Sequence, residues 1–174
     1  DSGAGKLEEK DGLEHLVHEA LDVLAADGKV RGKELGHVAL AGHSGAYRAI
    51  AFCVERGGLE EHIGPVCLLD ASYALLDNFV DWLAREPDAR LFSIFTAHLA
   101  EENVYLMTHL RRRNVSYDLL DEEDATEAVL AKTRVILVST QKLKHNQTVQ
   151  WLERWLRASQ LPPRPGAVSS QPAE

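Results

Sequence analysis

Residues 36–48 read Gly36-His37-Val38-Ala39-Leu40-Ala41-Gly42-His43-Ser44-Gly45-Ala46-Tyr47-Arg48. The apolar run at 38–41 predicts a short buried strand. Gly42-His43-Ser44-Gly45-Ala46 follows it, and residues 47–55 suit a helix. The order is strand, tight turn, helix, with a serine at the turn. A chain that bends so sharply needs small residues two before and two after the serine, and Gly42 and Ala46 stand there. The pattern fits G-x-S-x-G with alanine in the last place. In such a nucleophile elbow the serine hydroxyl stands above the sheet edge. The backbone N–H of Gly45, at a helix N-terminus, then faces the place where an oxyanion would develop. A plain Gly-Ser turn would use the same residues; the strand–turn–helix context favours the elbow.

Three further apolar runs follow, at 66–69 after Gly64-Pro65, at 91–95 after Pro87, and at 135–138. They are continuous and rich in β-formers, as strands buried on both faces should be. Helical patterns separate them at about 46–56, 75–85 and 99–112, and a last helix is expected at about 146–158. Its apolar face reads Val149, Leu152, Trp155 and Leu156, with Trp151 at the edge. Strands alternating with helices predict an α/β fold with a mostly parallel sheet flanked by helices. The acidic stretch 118–127 breaks the alternation and reads as an exposed loop or a short surface helix. From Ser159 the chain turns to Pro, Ser, Gln and Gly, the composition of a disordered tail. The expected organisation is one α/β domain over 1–158 and a tail over 159–174.

Upstream of the elbow only one helix is expected, over 12–27, with Leu13, Leu16, Val17, Ala20, Leu21 and Leu24 forming one apolar stripe. An elbow serine normally follows several strands. The reading is therefore of a partial domain whose N-terminal strands are missing from this chain. The exposed sheet edge near Val38 would then pair with that segment or with a second copy.

The 174 residues carry a net charge of −8, which argues against a nucleic-acid partner because phosphate binding needs a basic face. The one basic cluster, Arg111-Arg112-Arg113, falls at a helix end, where it complements the helix dipole. No apolar run approaches the roughly 20 residues of a membrane span. Cys53 and Cys67 are too few for a disulfide framework and read as small buried hydrophobes.

An activated serine needs a base, and the base needs an orienting carboxylate. In α/β sheets with an elbow the chain order is Ser, then Asp or Glu, then His, with the histidine after the last strand. His145 holds that place among eight histidines. Two positions compete for the acid. Asp70 ends the second run, and Glu101 or Glu102 follows the third; Asp70 is favoured by its place at the carboxyl edge of the sheet. Asp70 could also serve as a helix N-cap. His43, Tyr73 and His98 are expected to line the substrate pocket, and Arg48 to pair with an acid. His15 and His18 read as surface residues. Nothing has metal-ligand spacing of the HExxH kind, and no cofactor is expected.

The segments Leu40-Ala41-Gly42-His43-Ser44-Gly45-Ala46-Tyr47-Arg48, Leu68-Leu69-Asp70-Ala71-Ser72-Tyr73 and Asn78-Phe79-Val80-Asp81-Trp82 resemble bacterial α/β-hydrolase-like proteins. Those carry a GHSGGYR elbow and an LLDxLYG…F…W segment after the next strand. The resemblance runs to about Arg157 and corresponds to the C-terminal two-thirds of such a domain. Ala46 and Ala74 depart from glycines of that pattern. The resemblance implies a serine hydrolase acting on an ester or amide bond of a small molecule or peptide. It implies Ser44 as nucleophile, His145 as base, Asp70 as acid and Gly45 as oxyanion donor. A second oxyanion donor would come from an earlier loop outside this sequence. That superfamily also contains inactive binding proteins, which is the alternative expectation.

Overall fold

The computed structural model describes residues 4–30, 32 and 34–159. The expected tail therefore lies outside the described residues except for Ser159. That residue is buried and closes the last helix, its hydroxyl donating to the Leu156 carbonyl.

Five strands form one all-parallel sheet: β1 (Val38–His43), β2 (Ile63–Leu69), β3 (Arg90–Thr96), β4 (Asp118–Asp121) and β5 (Val135–Thr140). Their order across the sheet is β1-β2-β3-β5-β4. Among the described residues six α-helices accompany them: α1 (Gly12–Ala26), α2 (Tyr47–Arg56), α3 (Leu76–Arg85), α4 (Ala100–Arg112), α5 (Glu127–Lys132) and α6 (Trp151–Ala158). The four expected strands are present. A fifth, with α5 after it, occupies the acidic stretch read as loop or surface helix. The reason it was overlooked is its setting. Strand β4 lies at the sheet edge, Leu119 is half exposed, and only one side of it pairs, so acidic residues on it stay solvated.

Residues of the inner strands point alternately to two separate apolar layers. On one side Val66, Leu68, Leu91, Phe95, Val135 and Leu137 pack with residues of α2, α3 and α4. On the other Cys67, Leu69, Phe92, Ile94, Ile136 and Val138 pack with residues of α5 and α6. This division follows from handedness. Parallel strands connect through right-handed crossovers, so helices stay on one face while the chain advances across the sheet. The chain advances from β1 through β4, then steps back to β5. The one backward step puts α5 on the opposite face, and α6 joins it.

Two expectations about helix faces need correction. In α6 the buried residues are Trp151, Trp155 and Ala158, whereas Val149 and Leu156 are nearly half exposed. Residues 145–150 form a 3-10 turn, with three residues per turn rather than 3.6, so a helical phase started at 146 is rotated by the time it reaches Trp151. Trp151 instead stacks on Phe92, with ring centroids 5.7 Å apart. In α1 only Leu13 of the apolar stripe is buried and Val17 is partly covered; Leu16 is 51% exposed and Leu24 40%. The helix docks by its first turn, where the amides of Asp11 and Glu14 donate to the carbonyls of Arg56 and Gly57.

Candidate active site

Because every strand runs the same way, the carboxyl ends of β1, β2, β3 and β5 open onto one edge. Pairing in register places His43 beside Leu69, Leu69 beside Ile94, and Thr96 beside Thr140. The residues that end or follow these strands, Ser44, Asp70, Thr96 with His98, and His145, are therefore neighbours although they lie about a hundred positions apart.

Ser44 directly follows β1 and opens a 3-10 turn, Ser44–Ala46, that leads into α2. Its φ is +56°, a region that costs a residue with a side chain about 1–2 kcal/mol. The turn is tight enough to exclude larger neighbours. A Cβ on Gly42 would lie 2.8 Å from the Ala46 Cβ and 2.6 Å from Ile50 Cδ1. Glycine at 42 and a small residue at 46 are thus a steric requirement, as the spacing around the serine predicts. The first amides of this turn, Gly45 among them, have no carbonyl in the preceding turn to donate to.

Asp70 is fully buried and also left-handed, at φ +48°. Its carboxylate is held from two sides. Oδ1 accepts the Thr96 N–H at 2.9 Å. Oδ2 accepts the Thr96 hydroxyl at 3.0 Å and the Nδ1–H of His145 at 2.8 Å. Asp70 therefore does not cap a helix; α3 starts later, at Leu76, and Leu75 precedes it. Of the competing acids, Glu101 is exposed in the first turn of α4, and Glu102 faces a groove beside Tyr73. Neither bonds to His145.

Donor counting fixes the rings. The Thr96 hydroxyl donates to Asp70, so it accepts from Nδ1–H of His98, 2.6 Å away. That leaves the His98 Nε2 as an acceptor, and the Tyr73 hydroxyl donates to it at 3.0 Å. Burial pushes the Tyr73 phenol above its usual pKa, with the neighbouring Ser44 hydroxyl acting in the opposite direction, so the phenol keeps its proton at neutral pH. His43 donates from Nε2 to the backbone carbonyl of His145 at 3.1 Å, and the two rings lie 4.4 Å apart. His43 thus holds the His145 loop, a task shared by the Thr148 hydroxyl on the same carbonyl.

The structure accordingly gathers Ser44, Asp70, His145, His43, Tyr73 and His98 at one edge. No hydrogen bond joins Ser44 to His145. Arg48 is turned away and forms a two-pronged ion pair with Glu8, at 2.5 and 2.8 Å. Thr96 is the member that the sequence reading passed over. It could have been found as the residue directly after the third run, at the edge where ligands gather in parallel sheets. Behind it, buried Asn103 ties the Ser72 hydroxyl to the Leu99 carbonyl, fixing the loop that carries Asp70 and Tyr73. An open groove of about 490 Å³ runs from Tyr73 along Leu75, Leu76 and Asn78 to Glu102 and Tyr105.

Among the described residues no helix is long and apolar enough to cross a membrane. Comparison with family models, with curated proteins and with solved structures gives no match in any of the three.

Proposed function

We propose that this chain is a serine hydrolase of the α/β-hydrolase type, cleaving an ester or amide bond through an acyl-enzyme. The observation that carries this reading is the short bond from His145 Nδ1 to a buried, doubly anchored Asp70, one strand away from a serine held in a left-handed turn. Asp70 keeps the Nδ1–H tautomer of His145, which leaves Nε2 with a lone pair for the serine proton. Ser44 Oγ attacks the acyl carbon, and its proton passes to His145. The Gly45 N–H meets the developing oxyanion. His145 then protonates the leaving group. Water enters, gives its proton to His145, and releases the acid. No cofactor takes part in this sequence.

Before attack, the Ser44 hydroxyl must come within hydrogen-bond reach of His145. Catalytic hydrogen bonds in unliganded sites commonly tighten only when substrate arrives. The groove beside Tyr73 is the nearest space for the acyl or leaving group of a small molecule or a peptide. That no hydrogen bond joins Ser44 to His145 is what favours the second reading, a hydrolase-fold binding protein whose serine is not activated.

Treatment with a fluorophosphonate probe, read by intact mass beside a Ser44→Ala control, separates the two. The expected result is one covalent adduct that the control lacks. A well-folded protein that forms no adduct would favour the binding protein.

A further inference from the structure

Asp70 is a buried carboxylate without a permanent cation. Its basic partners among the described residues are two histidines, His145 at 2.8 Å and His98 at 3.7 Å, each measured from Nδ1 to Oδ2. Arg48, the nearest arginine in sequence to the elbow, is committed to Glu8. Burying an anionic group against neutral rings leaves its charge poorly compensated. Three donor atoms from Asp70, His98 and His145 all lie within 4.8 Å of one another.

Ligands placed about 2.1 Å from a tetrahedral zinc ion stand about 3.4 Å from each other. The two distances from Asp70 Oδ2 bracket that value, so small ring rotations bring all three donors to one centre. Two imidazoles and one carboxylate, with a position left for water, are the donor set of first-row divalent cations such as Zn²⁺. Thr96 orients the carboxylate, its N–H on Oδ1 and its hydroxyl on Oδ2, and Oδ2 is the oxygen that faces both rings. Both rings are partly exposed, with 32% of the His145 and 46% of the His98 side chain accessible, so an ion can enter from solvent.

We propose that Asp70, His98 and His145 form a binding site for a divalent cation of the zinc class, and that its occupancy excludes the Asp70–His145 hydrogen bond. The cation takes the Nδ1 lone pair of each ring, so the ring proton moves to Nε2. No proton is lost and none is gained; each neutral imidazole changes tautomer. Resting on the hydrolase reading, a consequence follows. His145 then has no free lone pair for the Ser44 proton, and zinc switches the site off.

The test is isothermal titration of the full chain with Zn²⁺, joined to Co²⁺ titration read by visible absorption. One ion per chain is expected, with cobalt bands of nitrogen–oxygen ligation. His98→Ala and Asp70→Asn should each weaken binding tenfold or more, while His15→Ala on the exposed face of α1 should leave it unchanged. Circular dichroism checks that each variant is folded, and His98, at the surface, is the safer of the two. Absence of binding, or binding indifferent to both variants, overturns the site. Fluorophosphonate labelling is followed in parallel. Labelling that slows with zinc occupancy and recovers with a chelator supports the exclusion; labelling indifferent to bound zinc overturns it. Zinc bound with the expected dependence, but with no adduct in any condition, keeps the metal site and removes the hydrolase reading.

Discussion

Ser44 and Asp70 both occupy the left-handed backbone region, and each directly follows a strand at the same sheet edge. Strain of this kind persists only where the surroundings over-determine it, and it clusters at functional positions. Ser44 was legible in the sequence because its neighbours at 42 and 46 must be small. Asp70 was legible only as one of two options, since nothing in the spacing of 70, 101, 102 and 145 says which acid meets the histidine. The choice is made by the strand register, which sets Asp70 next to Thr96 and under the His145 loop. Asp70→Asn tests it with little change in shape. The amide oxygen can still accept the Thr96 N–H, so urea unfolding should move by less than about 2 kcal/mol. The carboxamide can no longer accept the His145 proton and anchor Thr96 as a charge. Labelling of Ser44, and turnover on any ester that the protein accepts, should fall roughly a hundred- to ten-thousandfold. Unchanged labelling with an unchanged fold would remove Asp70 from the mechanism.

Among the elements, strands β1, β2, β3 and β5 and the helices between them follow directly from apolar runs and their breakers. Amphipathic faces were less dependable. A period of 3.6 says which residues share a face, and it leaves open whether anything covers that face. Helix α1 shows the difference. Leu13 and Leu16 look alike in the stripe, yet Leu13 is buried against α2 and Leu16 is half in water. Leu13→Ala should therefore cost about 2–4 kcal/mol in chemical denaturation, the usual range for a buried leucine. Leu16→Ala should stay within about 0.5 kcal/mol, as exposed positions do. Equal losses at the two positions would mean that the stripe is packed along its length. Helix α6 gives the complementary lesson, because a 3-10 turn ahead of it resets the phase and brings Trp151 inward.

At the scale of the whole molecule, one backward step in the strand order creates two apolar layers, and each contains one cysteine. Cys53 belongs to the layer under α2, α3 and α4, and Cys67 to the layer under α5 and α6. Burial pushes the Cys53 thiol from its ordinary value of 9.0 up to about 11, helped by the negative charge of Glu60. Burial alone raises Cys67 well above 9.0. A thiol whose folded pKa is raised adds stability that is fully present below the unfolded value. That stability is lost as pH rises toward and through the folded one. Thermal stability should thus decline as pH climbs from about 9 to about 11. In the native state at pH 8 neither thiol should react with a disulfide reagent except through opening of the fold, and denaturant should accelerate both. Rapid reaction of either thiol under native conditions would show its layer to be open.

The sequence by itself determined the alternation of strands and helices, the tight strand-to-helix turn at Ser44 and the histidine after the last long strand. Each of these rests on local rules: apolar periodicity, steric limits at a tight turn, and the order of residues along the chain. It left the edge strand β4 unread, because a strand paired on one side and washed on the other has no apolar signature. The tertiary structure decided which face of α1 and α6 is covered, and which carboxylate lies against His145. It also brought Thr96, His98 and Tyr73 into one hydrogen-bonded chain with Asp70. Those are contacts between strand ends far apart in sequence. Only the register and the single reversal of the sheet bring them together.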